Sequence, residues 1–304
     1  MKLVTYLAPA GGARLGVVAG EIVHDLAGLA EGFGLSLPVT MLEFLMLGDD
    51  GMALARQVLA RTAASGRWPG TPLRDVRLLA PVPRPPKLLA LAGNYQEHIR
   101  ESGHAAVTKA KITPRLFMKP TTSVAGPGQP ILLPKVSATI DWELELLIVI
   151  GTGGKDIATA DALAHVAGYS IFNDISSRTL HIAQGRDVRD GDGWFDWLLG
   201  KWQDSSGPMG PYLVTRDEVP QPNNLHLQLW VNNQLKQNAN TGQMIFDVAE
   251  TIAFSSQFMT LEAGDVIATG TPSGVGATTG TYLKVGDSVR GEIEGLGVLT
   301  NPVQ

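Results

Sequence analysis

The chain of 304 residues contains no cysteine. That excludes disulfides, thiolate nucleophiles and zinc–sulfur sites, and leaves the compartment undetermined. No run of about 18 apolar residues occurs, so no transmembrane helix is expected. The opening MKLVTYLAPAGG has one lysine and a strand-like run, without the apolar block of about 7–15 residues that a signal peptide needs. No basic block stands out and the formal net charge is -5, which argues against nucleic acid as a partner. GVGATTGTYLKVG is glycine-rich but lacks the Gly-Lys-Ser/Thr of a nucleotide-binding loop. With nothing to address the chain elsewhere, the cytoplasm is the expected compartment and a membrane is not an expected partner.

What is present is punctuation. With 35 glycines and 19 prolines, the chain should be rich in turns and short strands. Residues 1–75 read as a small N-terminal α/β domain: KLVTYL, ARLGVVAG and EIVHDL are strand-like, and MLEFLMLGDDGMALARQVLARTAAS has helical spacing broken at Gly48–Gly51. The prolines of residues 80–87 forbid helix and central strand, so a linker is expected there. Residues 76–304 form the larger unit. KLLALAG is a strand, NYQEHIRESG a short helix ended by Gly103, ATADALAHVA a helix and YSIFNDIS a strand. Residues 179–211 read as mostly irregular. LHLQLWVNNQLKQ alternates around Asn232-Asn233, a hairpin, and MIFDVAETIAFSSQFMTL is an amphipathic helix. Many short strands and few helices predict a β-rich α+β fold, closed into a barrel or folded over as a sandwich.

One segment carries the chemistry. In IDWELELLIVIG, Asp141, Glu143 and Glu145 stand at every second position. On a strand they share one face, with Trp142, Leu144 and Leu146 on the other. On a helix, Glu143 and Glu145 would diverge by about 200°. Three adjacent anions repel, and partial burial costs each several kcal/mol of hydration, so they call for a cation. Oxygen donors select Mg²⁺, Mn²⁺ or Ca²⁺. The alternative is a solvent-facing strand face, on which alternating glutamates are common. Against it, LLIVIG abandons alternation at once, as an inward-going strand does. Asp174, at the end of the apolar YSIFNDIS, could reach a neighbouring strand, or could simply cap a turn.

DWELELLIVIG, GYSIFNDISSR, GKWQDSSGPMGP and ATGTPSGVG, in that order, with AGNYQEHIRESG upstream, resemble the fumarylacetoacetate hydrolase family over roughly residues 88–300. The first 75 residues resemble the small N-terminal domain of many members. The resemblance implies that family's β-roll, commonly a homodimer, with one Mg²⁺ or Mn²⁺ held by Glu143, Glu145 and Asp174. It also implies Lys201 beside the metal, a His98–Glu101 pair on a short lid helix, Thr271 on the substrate carboxylate, and Arg178 four residues after the metal aspartate. Arg178 and His181 are expected beside Thr271 as substrate contacts; His181 stands where the family usually has glutamine, and GRDVRDGDGWFDWLL differs from the family's plainer segment, so the substrate is the open item.

A 2-oxo acid can chelate such an ion, and Lys201 and Thr271 would favour electron density moving onto its oxygen. Histidine changes charge near neutral pH, so His98 suits a base that activates water, with Glu101 three residues on to orient it. The alternative is an ordinary surface pair. The leading expectation is hydrolysis of a carbon–carbon bond in a 2,4-dioxo acid of the acylpyruvate type, in a catabolic pathway such as that of aromatic compounds. Oxaloacetate decarboxylation, or isomerisation or tautomerisation of a 2-oxo acid, uses the same site without attack by water, and a non-enzymatic binding role is the third reading. Lys119, in FMKP, either faces the pocket or solvates an edge, and the edge is the expectation. His24, His104 and His226 read as surface or packing residues, and His165 as structural on its helix. Trp194, Trp197 and Trp202 either wall a pocket or pack a loop.

Overall fold

The computed structural model describes every residue except Ala10 and Gln184. Its backbone is dominated by an eleven-stranded mixed sheet that follows an open path; no closed barrel forms among the described residues. The path runs Thr71–Pro72, Ile22–Asp25, Ala13–Ala19, Lys2–Leu7, Gly207–Thr215, Val166–Asn173, Leu144–Ile150, Val266–Ala268, Leu88–Ala92, Arg115–Met118. Lys2 and Leu3 pair antiparallel with Val214 and Leu213, so the N-terminal strands continue the sheet of the larger unit. The short strand Val124–Ala125 pairs in parallel with the start of Gly207–Thr215. A separate four-stranded sheet holds Gln234–Asn240, His226–Val231, Ser288–Ile293 and Gly297–Pro302.

The run LLIVI is apolar on both sides because both faces of the sheet are covered. Leu144, Leu146, Ile148 and Ile150 pack into a core with Leu227 and Leu229 of the smaller sheet and Val248 and Ile252 of the helix Val248–Phe258. Leu147 and Val149 point the other way, into a core with Phe44, Leu45 and Val58 of the N-terminal helices Met41–Met46 and Gly48–Ser65. Glu143 and Glu145 have the parity of this second face, at its far end. The prolines of residues 80–87 do not make a loose linker: Ala80 and Val82 are buried in the same core.

The strand carrying the acids is interrupted. Ile140–Asp141 pairs with Ser176–Ser177, and the long strand begins only at Leu144. The expected helix over 158–167 is reduced to a 3₁₀ turn, Ala162–His165, with His165 Nδ1 2.8 Å from Thr152 O. The stretch 179–211 is more regular than expected, with a helix Asp192–Leu199 and a strand Gly207–Thr215; Gln184 within it lies outside the described residues. The N-terminal helices part at Leu47, and the second starts at Gly48 itself. The hairpin turns at Asn232-Asn233, both in the left-handed region with φ 50 and 65. No helix among the described residues is long and apolar enough to cross a membrane.

Candidate metal centre and its cavity

Glu143, Glu145 and Asp174 meet. All three are buried, and one carboxylate oxygen from each lies within 4.8 Å of the others. The main sheet brings them together: Asp174 follows the strand Val166–Asn173, and its N–H donates to Glu143 O at 2.8 Å. Lys201 Nζ donates to Glu143 Oε2 at 2.8 Å, Asp174 Oδ2 at 2.7 Å and Ser176 Oγ at 2.7 Å. Lys119 Nζ donates to Asp174 Oδ1 at 2.6 Å. Lys119 therefore does not solvate an edge; it is buried in the cluster with the Asp174 carboxylate beside it.

Glu145 is served least. Its Oε2 accepts from Gly270 N at 2.6 Å, while its buried Oε1 has no hydrogen-bond partner among the described residues. Burial, then the charges of Asp174 and Glu143, hold its carboxyl well above the ordinary glutamate range. Burial pushes Glu143 up too, but Lys201 and Arg178 outweigh it and hold that carboxyl low. Burial would lower the Lys201 ammonium, yet Asp174 and Glu143 raise it above the ordinary lysine value. Lys119 goes the other way, lowered by burial, which its contact with Asp174 does not offset. A buried cluster of hard oxygen donors with an unpartnered oxygen suits a divalent cation such as Mg²⁺, Mn²⁺ or Ca²⁺.

Asp141 faces elsewhere. Its carboxylate accepts from Trp142 N at 2.9 Å, Gly276 N at 2.6 Å, Ala277 N at 2.9 Å and Arg178 Nε at 2.8 Å. It belongs to a clamp on the 275–277 loop rather than to the acidic face expected of residues 141–145, because the strand breaks between Asp141 and Leu144. Arg178 Nη2 also pairs with Glu143 Oε1 at 2.7 Å and so joins clamp to cluster.

The cluster opens through Glu143 and Lys201 onto a cavity of about 700 Å³, also lined by His98, Arg178, Thr271 and Trp197. His98, on the helix Gln96–Glu101, has Nδ1 2.8 Å from Glu101 Oε1, and Glu101 Oε2 accepts from Gly274 N at 2.8 Å. Glycine is required at 274: φ is +101 and a Cβ would lie 2.0 Å from Lys236 O. Gly270, whose N–H serves Glu145, likewise has φ +88 with Asn94 against it. The Thr271 hydroxyl donates to Leu144 O at 3.0 Å and accepts from Gln237 Nε2 at 2.8 Å. Trp194 and Trp197 stack 5.1 Å apart and both line the cavity, whereas Trp202 bonds Met118 O outside it.

His181 is not brought to this site. It is exposed, its N–H donates to Val136 O, and it is not among the residues lining the cavity. His104, read as surface or packing, does line the cavity; His24 is buried against Trp68 and His226 is exposed. Sequence reading missed Lys119, Gln237 and the clamp role of Asp141. The one usable signal was alternation: Arg115, Phe117 and Lys119 share a strand parity, and Phe117 is apolar.

Residues 87–304 match the family model described as fumarylacetoacetate (FAA) hydrolase C-terminal, and the chain belongs to that family. It is 42% identical over 308 residues to the bovine protein called oxaloacetate tautomerase FAHD2B, mitochondrial, covering 100% of this chain and 91% of that one. It is 40% identical over 309 residues to the human oxaloacetate tautomerase FAHD2A, mitochondrial, with the same coverage. Among solved structures it resembles the maleylpyruvate hydrolase of Sphingobium sp. SYK-6 in complex with manganese(II) and pyruvate: 31% identity, TM-score 0.77, covering 100% of this chain and 98% of the other. It also resembles the fumarylacetoacetate hydrolase of Exiguobacterium antarcticum, at 32% identity and TM-score 0.77, covering 100% and 99%.

Proposed function

We propose that this chain is a divalent-metal-dependent enzyme acting on a small 2-oxo acid, and that its reaction is the keto–enol interconversion of oxaloacetate. The observation that carries the reading is the convergence of the Glu143–Glu145–Asp174 cluster, Lys201 and the His98–Glu101 pair at one cavity. The choice of tautomerisation over the hydrolysis that leads the sequence reading is supported by full-length relatives named oxaloacetate tautomerase.

Glu143, Glu145 and Asp174 would hold the ion, which when bound supplies a Lewis acid for the carboxylate and 2-oxo group of the substrate. The Lys201 ammonium, kept protonated by Asp174 and Glu143, donates toward the 2-oxo oxygen as charge builds there. Glu101 fixes His98 through Nδ1, which leaves Nε2 to take a proton from C3 of the keto form. The C3–H bond breaks as His98 takes the proton and an O–H bond forms with a proton from Lys201, so the enol forms with no carbon–carbon bond broken; the reverse path returns the proton to C3 and the other to Lys201. Arg178 and Asp141 hold Glu143 and the 275–277 loop in place.

The test follows the ultraviolet absorbance of freshly dissolved enol oxaloacetate with protein and Mn²⁺ or Mg²⁺. The expected result is decay at least about tenfold faster than in buffer with ion alone, with that acceleration lost in Lys201→Ala. No acceleration with either ion, in protein that binds the ion, would reject the reading.

A second reading, hydrolysis of an acylpyruvate, is favoured by two observations: the cavity of about 700 Å³ exceeds the needs of a four-carbon acid, and the maleylpyruvate hydrolase shares the fold. In it, His98 activates water. Release of pyruvate from acylpyruvates, at a rate above any oxaloacetate tautomerisation, would put this reading first.

A further inference from the structure

We infer that Arg115 makes this cavity select 2-oxo acids bearing a second carboxylate at the far end, an inference that rests on the 2-oxo acid reading above. The side chain stands at the end of a row. On the strand Arg115–Met118 and the residue after it, positions 115, 117 and 119 share one face. Lys119 Nζ is bonded to Asp174 in the cluster. The Phe117 ring lies 5.5 Å from Lys201 Nζ and edge-on to Trp197 at 4.9 Å. Arg115 comes next along this face, about 13 Å from Lys119 Cα to Cα at ordinary strand rise. It pairs in register with Ala92, beside the turn that leads to the His98 helix. The row therefore runs outward from the cluster, and Arg115, exposed at the row's outer end, also lines the cavity.

Charge singles it out. Lys201 faces Glu143 and Asp174, Arg178 faces Asp141 and Glu143, and His98 faces Glu101. Arg115 lines the same cavity and makes no ion pair or side-chain hydrogen bond among the described residues. The cavity lining that includes Arg115 also includes the apolar Ile112, Pro114 and Trp194. A second carboxylate there needs a cation, and arginine supplies one in a fork that matches it.

The test compares two ligands that differ only at the far end, 2-oxoglutarate and 2-oxopentanoate. Binding to the Mn²⁺-loaded protein is measured by calorimetry, with no turnover involved. The native protein should prefer the diacid by about tenfold or more, about 1.4 kcal/mol. Arg115→Gln should bring the two affinities within about twofold by weakening the diacid alone, and Arg115→Lys should keep part of the preference. Unchanged 2-oxopentanoate affinity doubles as the check that the variant is folded. A native protein without preference, or a preference surviving in Arg115→Gln, overturns the inference. If the preference holds but oxaloacetate is not tautomerised, the proposed reaction fails and the role of Arg115 stands.

Discussion

Asp141 and Glu145 are four residues apart, acidic and fully buried, yet their surroundings are opposite. Every direction around the Asp141 carboxylate is filled: three backbone N–H groups and Arg178. Glu145 accepts one hydrogen bond, from Gly270, and keeps an oxygen with none. Burial of a carboxylate is costly in both places. At 141 the fold offsets the cost and gains a rigid loop. At 145 it leaves the cost standing, and the carboxyl is driven well above its ordinary range. The difference separates an acid that builds structure from one suited to a cation.

The largest expected effect falls on the ion. Glu145→Gln should weaken Mn²⁺ binding by about 10³-fold in calorimetry, near 4 kcal/mol, while the metal-free protein keeps or gains stability because a buried acid crowded by Asp174 and Glu143 is gone. Asp141→Asn should do the reverse. Its amide would set a donor against Arg178 or the Ala277 N–H, costing about 3 kcal/mol in urea unfolding, with Mn²⁺ affinity within about threefold of native. Equal losses of Mn²⁺ affinity in the two variants would break the contrast.

His98→Gln should change neither stability nor Mn²⁺ affinity, and should slow oxaloacetate tautomerisation by about 10²-fold; a matching fall in ion affinity would place His98 with the cluster. The smallest effect concerns a third acid, Asp25, partly exposed in the N-terminal sheet. Burial pushes its carboxyl up, but Arg14, Tyr6 and the Gly28 N–H outweigh this and hold it below the ordinary range. Its stabilisation is therefore complete above about pH 4, the ordinary aspartate value, and fades as pH falls through the lower folded value. Asp25→Asn should cost less than about 1 kcal/mol at pH 7, with the gap to native closing in acid; a gap that stays constant down to pH 2 would contradict the assignment.

Several elements could be read locally because their signals are local. The Asn232-Asn233 turn needs left-handed residues, which asparagine tolerates. The helix Val248–Phe258 starts at Asp247, whose carboxylate accepts from Glu250 N while Glu250 bonds back. Other positions were illegible for equally physical reasons. A lysine before a proline looks like any edge lysine, and only the arrival of Asp174 from another strand sets a carboxylate beside the buried Lys119. His181 follows Arg178 by three residues, but the chain turns away to pair with Val136. The helix Asp192–Leu199 has glycine and aspartate at its start and two tryptophans within it, so its formation owes more to packing beside Phe117 and Lys201 than to propensity.

The sequence by itself determined which residues could bind a cation and that Glu143 and Glu145 share one parity of an extended chain, because alternation is a property of the extended backbone. It could not determine that Asp141 leaves that face, that Lys119 joins it, or that Arg115 ends a row of side chains along the cavity. Those placements depend on which strands become neighbours, and the free energy of a buried charge is set by what lies across the gap rather than by its neighbours in the chain.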